Sequence, residues 1–256
     1  LAILDVMLPS MNGFEVCARL KNSGFSAPIF ILTALTDEQS RLEGLGVGAD
    51  DYIQKPFSIR ELALRVRNAF DRSERVFGKA KAIEQELLKA REIQLSSLPK
   101  GAPNVPGLEI FGMMRPATHV GGDYFDFVRP DAERIGVVVA DVSGKGMPAA
   151  IYVHTMQGII RASSTAARSP MDLLKQLQVH LGRSMEVSSF VTAVAAIFDL
   201  KKRTMEIANA GHLPVFLKRK RTIRKVHPEG FVIGQVADEG FLEGLKSFRI
   251  QLRPGD

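Results

Sequence analysis

Hydrophobic positions along this chain fall into three regimes. Near the N-terminus, short apolar runs stop abruptly at polar residues: L-A-I-L-D ends at Asp5, I-F-I-L-T at Thr33, and D-Y-I-Q-K-P-F presents Lys55 before Pro56. Apolar runs of this length, closed by turn residues, read as buried strands of a parallel sheet. Between Ser58 and about Leu98 the spacing changes to alternating steps of four and three: Leu62, Val66, Ala69, Ser73, Val76, Ala80, Ile83, Leu87, Ala90 and Gln94. This heptad seam, with polar breaks at Ser73 and Gln94, predicts one long helix or two abutting ones. Ser58 is its N-cap, with Glu61 completing a capping box. Gly78 weakens it by about 1 kcal/mol relative to Ala, and Pro99, Pro103 and Pro106 close it. The third regime alternates strands with glycine turns. I-G-V-V-V-A leads to Asp141, Pro148 and its apolar run begin a buried helix, and F-V-T-A-V-A-A-I-F-D pairs with T-M-E-I-A-N-A-G-H-L-P-V-F-L through a turn around Lys201 to Arg203.

The strand ends of the first regime carry chemistry. Parallel sheets of the doubly wound kind keep their sites at the carboxyl ends of the strands. There, Asp5, Thr33 and Lys55 would meet beside a loop shaped by Pro9 and Gly13. A carboxylate with an ammonium and a hydroxyl beside it suits a transient acyl phosphate, the carboxylate as nucleophile and the other two gripping phosphoryl oxygens. The pattern resembles the receiver domain of bacterial response regulators. That resemblance implies a flavodoxin-like fold with Asp5 as phosphoacceptor, Thr33 and Tyr52 as switch residues and Lys55 as the conformational lysine. It also implies a cis peptide at Lys55-Pro56 and one Mg²⁺ held by Asp5 and the Met7 carbonyl. The acidic pair that receivers carry at their first strand has no counterpart, so the receiver is expected to lack its first strands.

Composition changes the picture little. With 256 residues, 45% hydrophobic and 24% charged, the chain can bury roughly two cores. One cysteine, Cys17, excludes an intrachain disulfide and fits a reducing cytosol. No run of about 18 apolar residues is present to span a membrane. The net charge of +6 is concentrated in Lys218, Arg219, Lys220, Arg221, Arg224 and Lys225. Aromatics do not interleave these residues as a nucleic-acid stacking platform requires, so a solvated hairpin is expected.

The third regime holds V-G-G-D-Y-F-D-F, D-V-S-G-K-G and N-A-G-H-L-P. Asp123 and Asp141 lie at strand or turn positions flanked by glycine, where backbone can approach an ion closely. Hard oxygen donors of this kind suit Mg²⁺ or Mn²⁺. In this order and spacing the motifs resemble the stage II sporulation E type of PP2C-like serine phosphatase, and A-R-E-I-Q-L-S-S-L-P matches the helix preceding that domain. The resemblance implies an α+β, PP2C-like β-sandwich flanked by helices, with two Mg²⁺ or Mn²⁺ ions. Asp123, Asp141 and the Val142 carbonyl would be ligands, and Asp126, Gly144, Asn209, Gly211 and His212 would support the site. Lys145 stands where the family usually has His and receives no role. Further metal-binding carboxylates belong to motifs beyond the strand starting near Phe248, so residues 1–256 alone are expected to show little or no phosphatase activity.

The expected organisation is therefore multi-domain: a partial receiver over 1–72, a helical coiled-coil linker over 73–98 and a partial phosphatase domain over 99–256. The implied protein is a cytoplasmic two-component output phosphatase fed by a histidine kinase or other phosphodonor. It would be a homodimer through the linker and act on a phosphoserine protein, by resemblance an anti-sigma-factor antagonist. Two alternatives stand beside it: a non-catalytic, receiver-driven dimeric interaction module, and a diguanylate cyclase-like regulator, which Tyr124 disfavours by replacing an acidic signature residue. Arg115 is expected at the surface, and Met113, Met114, Met147 and Met156 as core filling.

Overall fold

The computed structural model describes residues 1–8, 11–34, 46–186 and 188–256; Pro9 lies outside them. The chain divides into two compact units, Leu1–Gln85 and Glu86–Asp256. In the first, strands β1 (Ala2–Asp5), β2 (Ile29–Thr33) and β3 (Asp51–Gln54) form a parallel sheet in the order β1-β2-β3, with helix α1 (Gly13–Asn22) following β1. The central strand explains its unbroken apolar run: Ile29, Phe30 and Ile31 are wholly buried. Helix α1 starts at Asn12, whose side chain accepts the Phe14 N–H. Its first residue must be small, because a Cβ on Gly13 would lie 2.2 Å from the Asp5 carbonyl oxygen.

Helix α2 (Ile59–Ser97) is one continuous element of 39 residues. The Ser58 hydroxyl accepts the Glu61 N–H at 3.0 Å, the first half of the expected capping box; the Glu61 carboxylate instead accepts from Arg65 at 3.1 Å. Along the seam, Leu62, Val66, Ala69 and Ser73 are half-buried, Leu87 and Ala90 are half-buried, and Gln94 is buried, while Val76, Ala80 and Ile83 are exposed. The chain itself thus covers both ends of the seam. Periodicity shows that a stripe needs cover, and cannot show what covers it.

In the second unit a five-stranded antiparallel sheet runs β10-β7-β6-β5-β4. Its strands are β4 (Asp123–Val128), β5 (Arg134–Val142), β6 (Val191–Asp199), β7 (Thr204–Ala210) and β10 (Ser247–Gln251). One face packs on helices α3 (Met147–Ser163) and α4 (Pro170–His180). On that face the central strands present Val138, Ala140, Ala193, Ala195 and Ala208, small residues that let Met156, Ile160, Leu173, Leu174 and Leu177 approach closely. Each such large side chain fully buried contributes about 1.5–3 kcal/mol. Helix α4 opens with a capping box between Ser169 and Asp172, and Pro170 sits in its first turn.

On the opposite face, Val194, Met205 and Ile207 form a smaller core with the two-stranded ribbon β8 (Val215–Arg219) and β9 (Thr222–Val226). The run T-M-E-I-A-N-A-G-H-L-P-V-F-L is therefore two strands in two sheets, broken at Gly211–Pro214. The basic cluster lies on this ribbon, as expected, with Lys218, Lys220, Arg221, Arg224 and Lys225 exposed. A short helix, α5 (Asp238–Gly244), precedes β10. Two core assignments fail: Met113 is 77% exposed and Met147 39%, whereas Met156 is fully buried and Met114 packs against the main core. Hydrophobicity alone does not say which side of a loop a methionine faces.

Candidate metal centre and phosphoacceptor edge

Antiparallel register decides which motif residues meet in the second unit. Asp123 of β4 stands directly opposite Asp141 of β5, and Asp141 directly opposite Thr192 of β6. Opposed residues project to the same face with Cβ atoms about 4.5–5.5 Å apart, so two carboxylates and a hydroxyl form one row. His212 extends it: its Nδ1 lies 2.8 Å from the Thr192 hydroxyl. Asn209 fixes the turn that carries His212, accepting the His212 N–H at 2.7 Å and donating to the His212 carbonyl at 3.0 Å. Gly211, in this turn, has φ +70°, a conformation that favours glycine.

The loop before β4 supplies the rest of the cradle. Val142 donates its N–H to the Gly122 carbonyl at 3.0 Å. A Cβ on Gly122 would sit 2.4 Å from the Val142 carbonyl oxygen and 3.2 Å from Asp141 Oδ1. Two hard oxygens thus converge on a spot that any side chain at position 122 would fill. Burial, and then the neighbouring Asp123 charge, push the Asp141 carboxyl above its usual range. Burial pushes the His212 imidazole down, opposed by the Asp141 and Asp123 charges. A cation would relieve this carboxylate repulsion, so the donor set fits Mg²⁺ or Mn²⁺ in kind. Among the described residues no group of three or more His, Cys, Asp or Glu side chains could hold a metal ion. The cradle consists of two carboxylates and a carbonyl.

In the first unit the strand ends converge as parallel order dictates. Lys55 Nζ pairs with Asp5 Oδ2, and Met7 donates its N–H to Asp5 Oδ1 at 3.1 Å. The Lys55 bond, and then the Met7 N–H, hold the Asp5 carboxyl below its usual range. Lys55 also donates its backbone N–H to the Thr33 carbonyl at 2.7 Å, and Lys55-Pro56 is cis. Thr33 is buried at the end of β2. Tyr52 is half-buried, and burial pushes its phenol up to about 12.

Comparison with known proteins agrees with both halves. Residues 1–67 match the response regulator receiver domain family and residues 131–256 the stage II sporulation protein E (SpoIIE) family. The chain joins a receiver segment to a SpoIIE-type domain. It is 28% identical over 190 residues to the phosphoserine phosphatase RsbU of Bacillus subtilis, an alignment covering 73% of this chain and 55% of RsbU. It is 49% identical over 67 residues to the response regulator RppA of Synechocystis, covering 26% of this chain and 29% of RppA. This chain thus spans about half the length of RsbU and under a third of RppA. The SiaA-PP2C domain of Pseudomonas aeruginosa has the same fold as the second unit, with a TM-score of 0.57 at 21% identity, covering 69% of this chain and 70% of that one.

Within the SpoIIE-type domain, some expected site residues lie apart from the cradle. Asp126, three positions from Asp123, faces the other side of the sheet. There it is buried and accepts from the Tyr124 hydroxyl at 2.8 Å, Arg161 Nε at 2.9 Å and the Phe127 N–H at 2.9 Å. Hydrogen bonds to a charged group contribute about 1.5–3 kcal/mol each, so Asp126 holds β4 to α3 from behind. Gly144 turns the chain between β5 and α3 with φ +98°. Arg115 borders an open groove of about 540 Å³ that also includes Asp123 and Asp141. Thr192 was missed by sequence reading; its outward parity is visible in F-V-T-A-V, but its partner strand is not.

Proposed function

We propose that the full-length protein is a cytoplasmic, metal-dependent protein serine/threonine phosphatase controlled by phosphorylation of Asp5. The observation that carries the catalytic half is the opposition of Asp123 to Asp141 beside the Val142 carbonyl, over a glycine whose Cβ would occupy the same space. Asp123, Asp141 and the Val142 carbonyl would hold Mg²⁺ or Mn²⁺. Bound there, the divalent pair would supply a nucleophile from water at neutral pH and neutralise phosphoryl charge. Asp141 would serve as a ligand through its carboxylate, Asn209 would keep the His212 turn in place, and the Thr192 hydroxyl would orient the His212 ring at the edge of the row. The substrate is a phosphoserine protein, an anti-sigma-factor antagonist by analogy with the family.

The receiver half would take a phosphoryl group from a histidine kinase or small phosphodonor onto Asp5, with one Mg²⁺ held by Asp5 and the Met7 carbonyl. Thr33, Tyr52 and Lys55 would report the change to the linker, residues 73–98. Helix α2 is continuous through that segment, which supports transmission along it. Its exposed Val76, Ala80 and Ile83 keep heptad spacing, which supports pairing with a second copy as a parallel coiled coil. Sedimentation equilibrium is expected to find dimers; monomers at micromolar concentration would remove the pairing. No helix among the described residues is long and apolar enough to cross a membrane.

The decisive measurement is Mn²⁺-dependent phosphate release from a phosphoserine protein by the full-length protein, with and without acetyl phosphate. Activity should depend on metal and change when Asp5 is phosphorylated. Gly78→Pro, which costs a helix interior about 3 kcal/mol, should abolish the dependence on acetyl phosphate while leaving basal hydrolysis. Metal-independent or absent hydrolysis would reject the catalytic reading, and an unchanged acetyl phosphate response in Gly78→Pro would reject transmission through α2.

A further inference from the structure

The last two turns of α2 bond the loop that leads into the strand carrying Asp123 and, through Arg161, connect to Asp126 within that strand. Gln94 is 1% exposed, and its amide pairs with one peptide group in both directions. Nε2 donates to the Gly121 carbonyl at 2.8 Å, and the Gly121 N–H donates to Oε1 at 3.1 Å. Only one orientation of the amide satisfies both bonds, which fixes its assignment. Gly121 immediately precedes Gly122, whose carbonyl accepts the Val142 N–H, and Asp123 follows. Upstream, Arg91 donates to the Thr118 carbonyl at 3.1 Å. Downstream, the Ser97 carbonyl accepts from Gln157 Nε2 at 2.5 Å and from an Arg161 terminal nitrogen at 2.9 Å, and the same guanidinium bonds Asp126.

We propose that Gln94 is the positioning residue of the metal cradle: its two-way pair with Gly121 holds the Gly121–Asp123 loop where Asp123 opposes Asp141. This rests on the metal reading above and assigns its structural control to one side chain. The geometry is unforgiving. A helix advances about 1.5 Å per residue, and bonds near 3 Å do not survive a shift of that size. Any slide or rotation of the end of α2 therefore either drags the loop or breaks the pair. The heptad pattern marks Gln94 only as a polar break, because the partner peptide lies 27 residues away.

The test compares Gln94→Leu and Gln94→Asn with the parent in the full-length protein. Leucine and asparagine both fall one bond short of glutamine; leucine also removes the amide, whereas asparagine keeps it but holds it out of reach of Gly121. Mn²⁺ affinity is read by electron paramagnetic resonance of the free ion, alongside kcat, KM and a circular dichroism spectrum. Loss of groups that orient metal ligands typically costs about 10–100-fold in metal affinity. Both variants should therefore bind Mn²⁺ about 10-fold more weakly, recover kcat at saturating Mn²⁺, and keep the parent KM for substrate. Glu92→Gln, on the exposed side of the same turn, should match the parent. Folded variants with Mn²⁺ affinity within twofold of the parent would overturn the proposal, as would unfolding of both, which would make Gln94 a folding residue. A parent protein that binds no Mn²⁺ would instead overturn the metal reading, and this proposal with it.

Discussion

Asparagine in place of Asp141 is expected to lower phosphoserine hydrolysis by the full-length protein about 10³-fold, equivalent to about 4 kcal/mol of transition-state stabilisation. In the proposed centre Asp141 would be a carboxylate ligand to the divalent ions, and asparagine keeps its shape while removing the charge. The same substitution should not destabilise the metal-free protein. Burial and the Asp123 charge raise the Asp141 carboxyl in the folded state, so folding binds its proton more tightly. The stability this contributes is complete below the unfolded carboxylate range and is lost as pH rises through the folded value. At neutral pH the ionised Asp141 therefore opposes folding. In chelator the variant should melt at or above the parent temperature, and the difference should shrink as pH falls towards about 4. Hydrolysis within tenfold of the parent would remove Asp141 from the site, whereas a lower melting temperature would point to a structural role.

Asp5→Asn is expected to abolish acyl-phosphate formation from acetyl phosphate, read as loss of the mobility shift on phosphate-affinity gels. Asp5 is the carboxylate that Lys55 and the Met7 N–H hold ionised at the edge of the parallel sheet. The Asp5–Lys55 pair is solvent-accessible, with side chains 34% and 37% exposed, so screening keeps its contribution to stability small. Thermal melting should hardly move while phosphorylation vanishes. Residual labelling of Asp5→Asn at the parent level would place the phosphoacceptor elsewhere. Because the Asp5 carboxyl is held low in the folded state, its small stabilising contribution is present at neutral pH and fades as pH falls through that lowered value.

Much of this was legible in residue order because the physics involved is local. A buried parallel strand needs a continuous apolar run, and a polar residue marks where it leaves the core; Asp5, Thr33 and Lys55 could be placed at strand ends on that ground. Ser58 and Glu61 announced the start of α2 because a cap satisfies N–H groups within one turn. The parity of Asp126 was legible too: an odd separation from Asp123 along a strand puts it on the opposite face, although its partners Tyr124 and Arg161 could not be named from spacing. Met113 and Met147 were misplaced because core membership depends on what lies above a residue, which hydrophobicity does not encode.

Periodicity, capping and motif spacing by themselves determined the parallel sheet with its acidic edge, the long helix, and two glycine-flanked aspartates with the chemistry of a hard-cation site. Only tertiary structure decided the partners: Asp123 against Asp141, Thr192 beneath His212, Gln94 on Gly121, and an α2 seam covered at both ends by its own chain. The reason lies in range. Backbone conformation answers to neighbours within a few residues, whereas strand register and helix docking join groups 18 to 60 positions apart, and are selected by the packing of the whole unit.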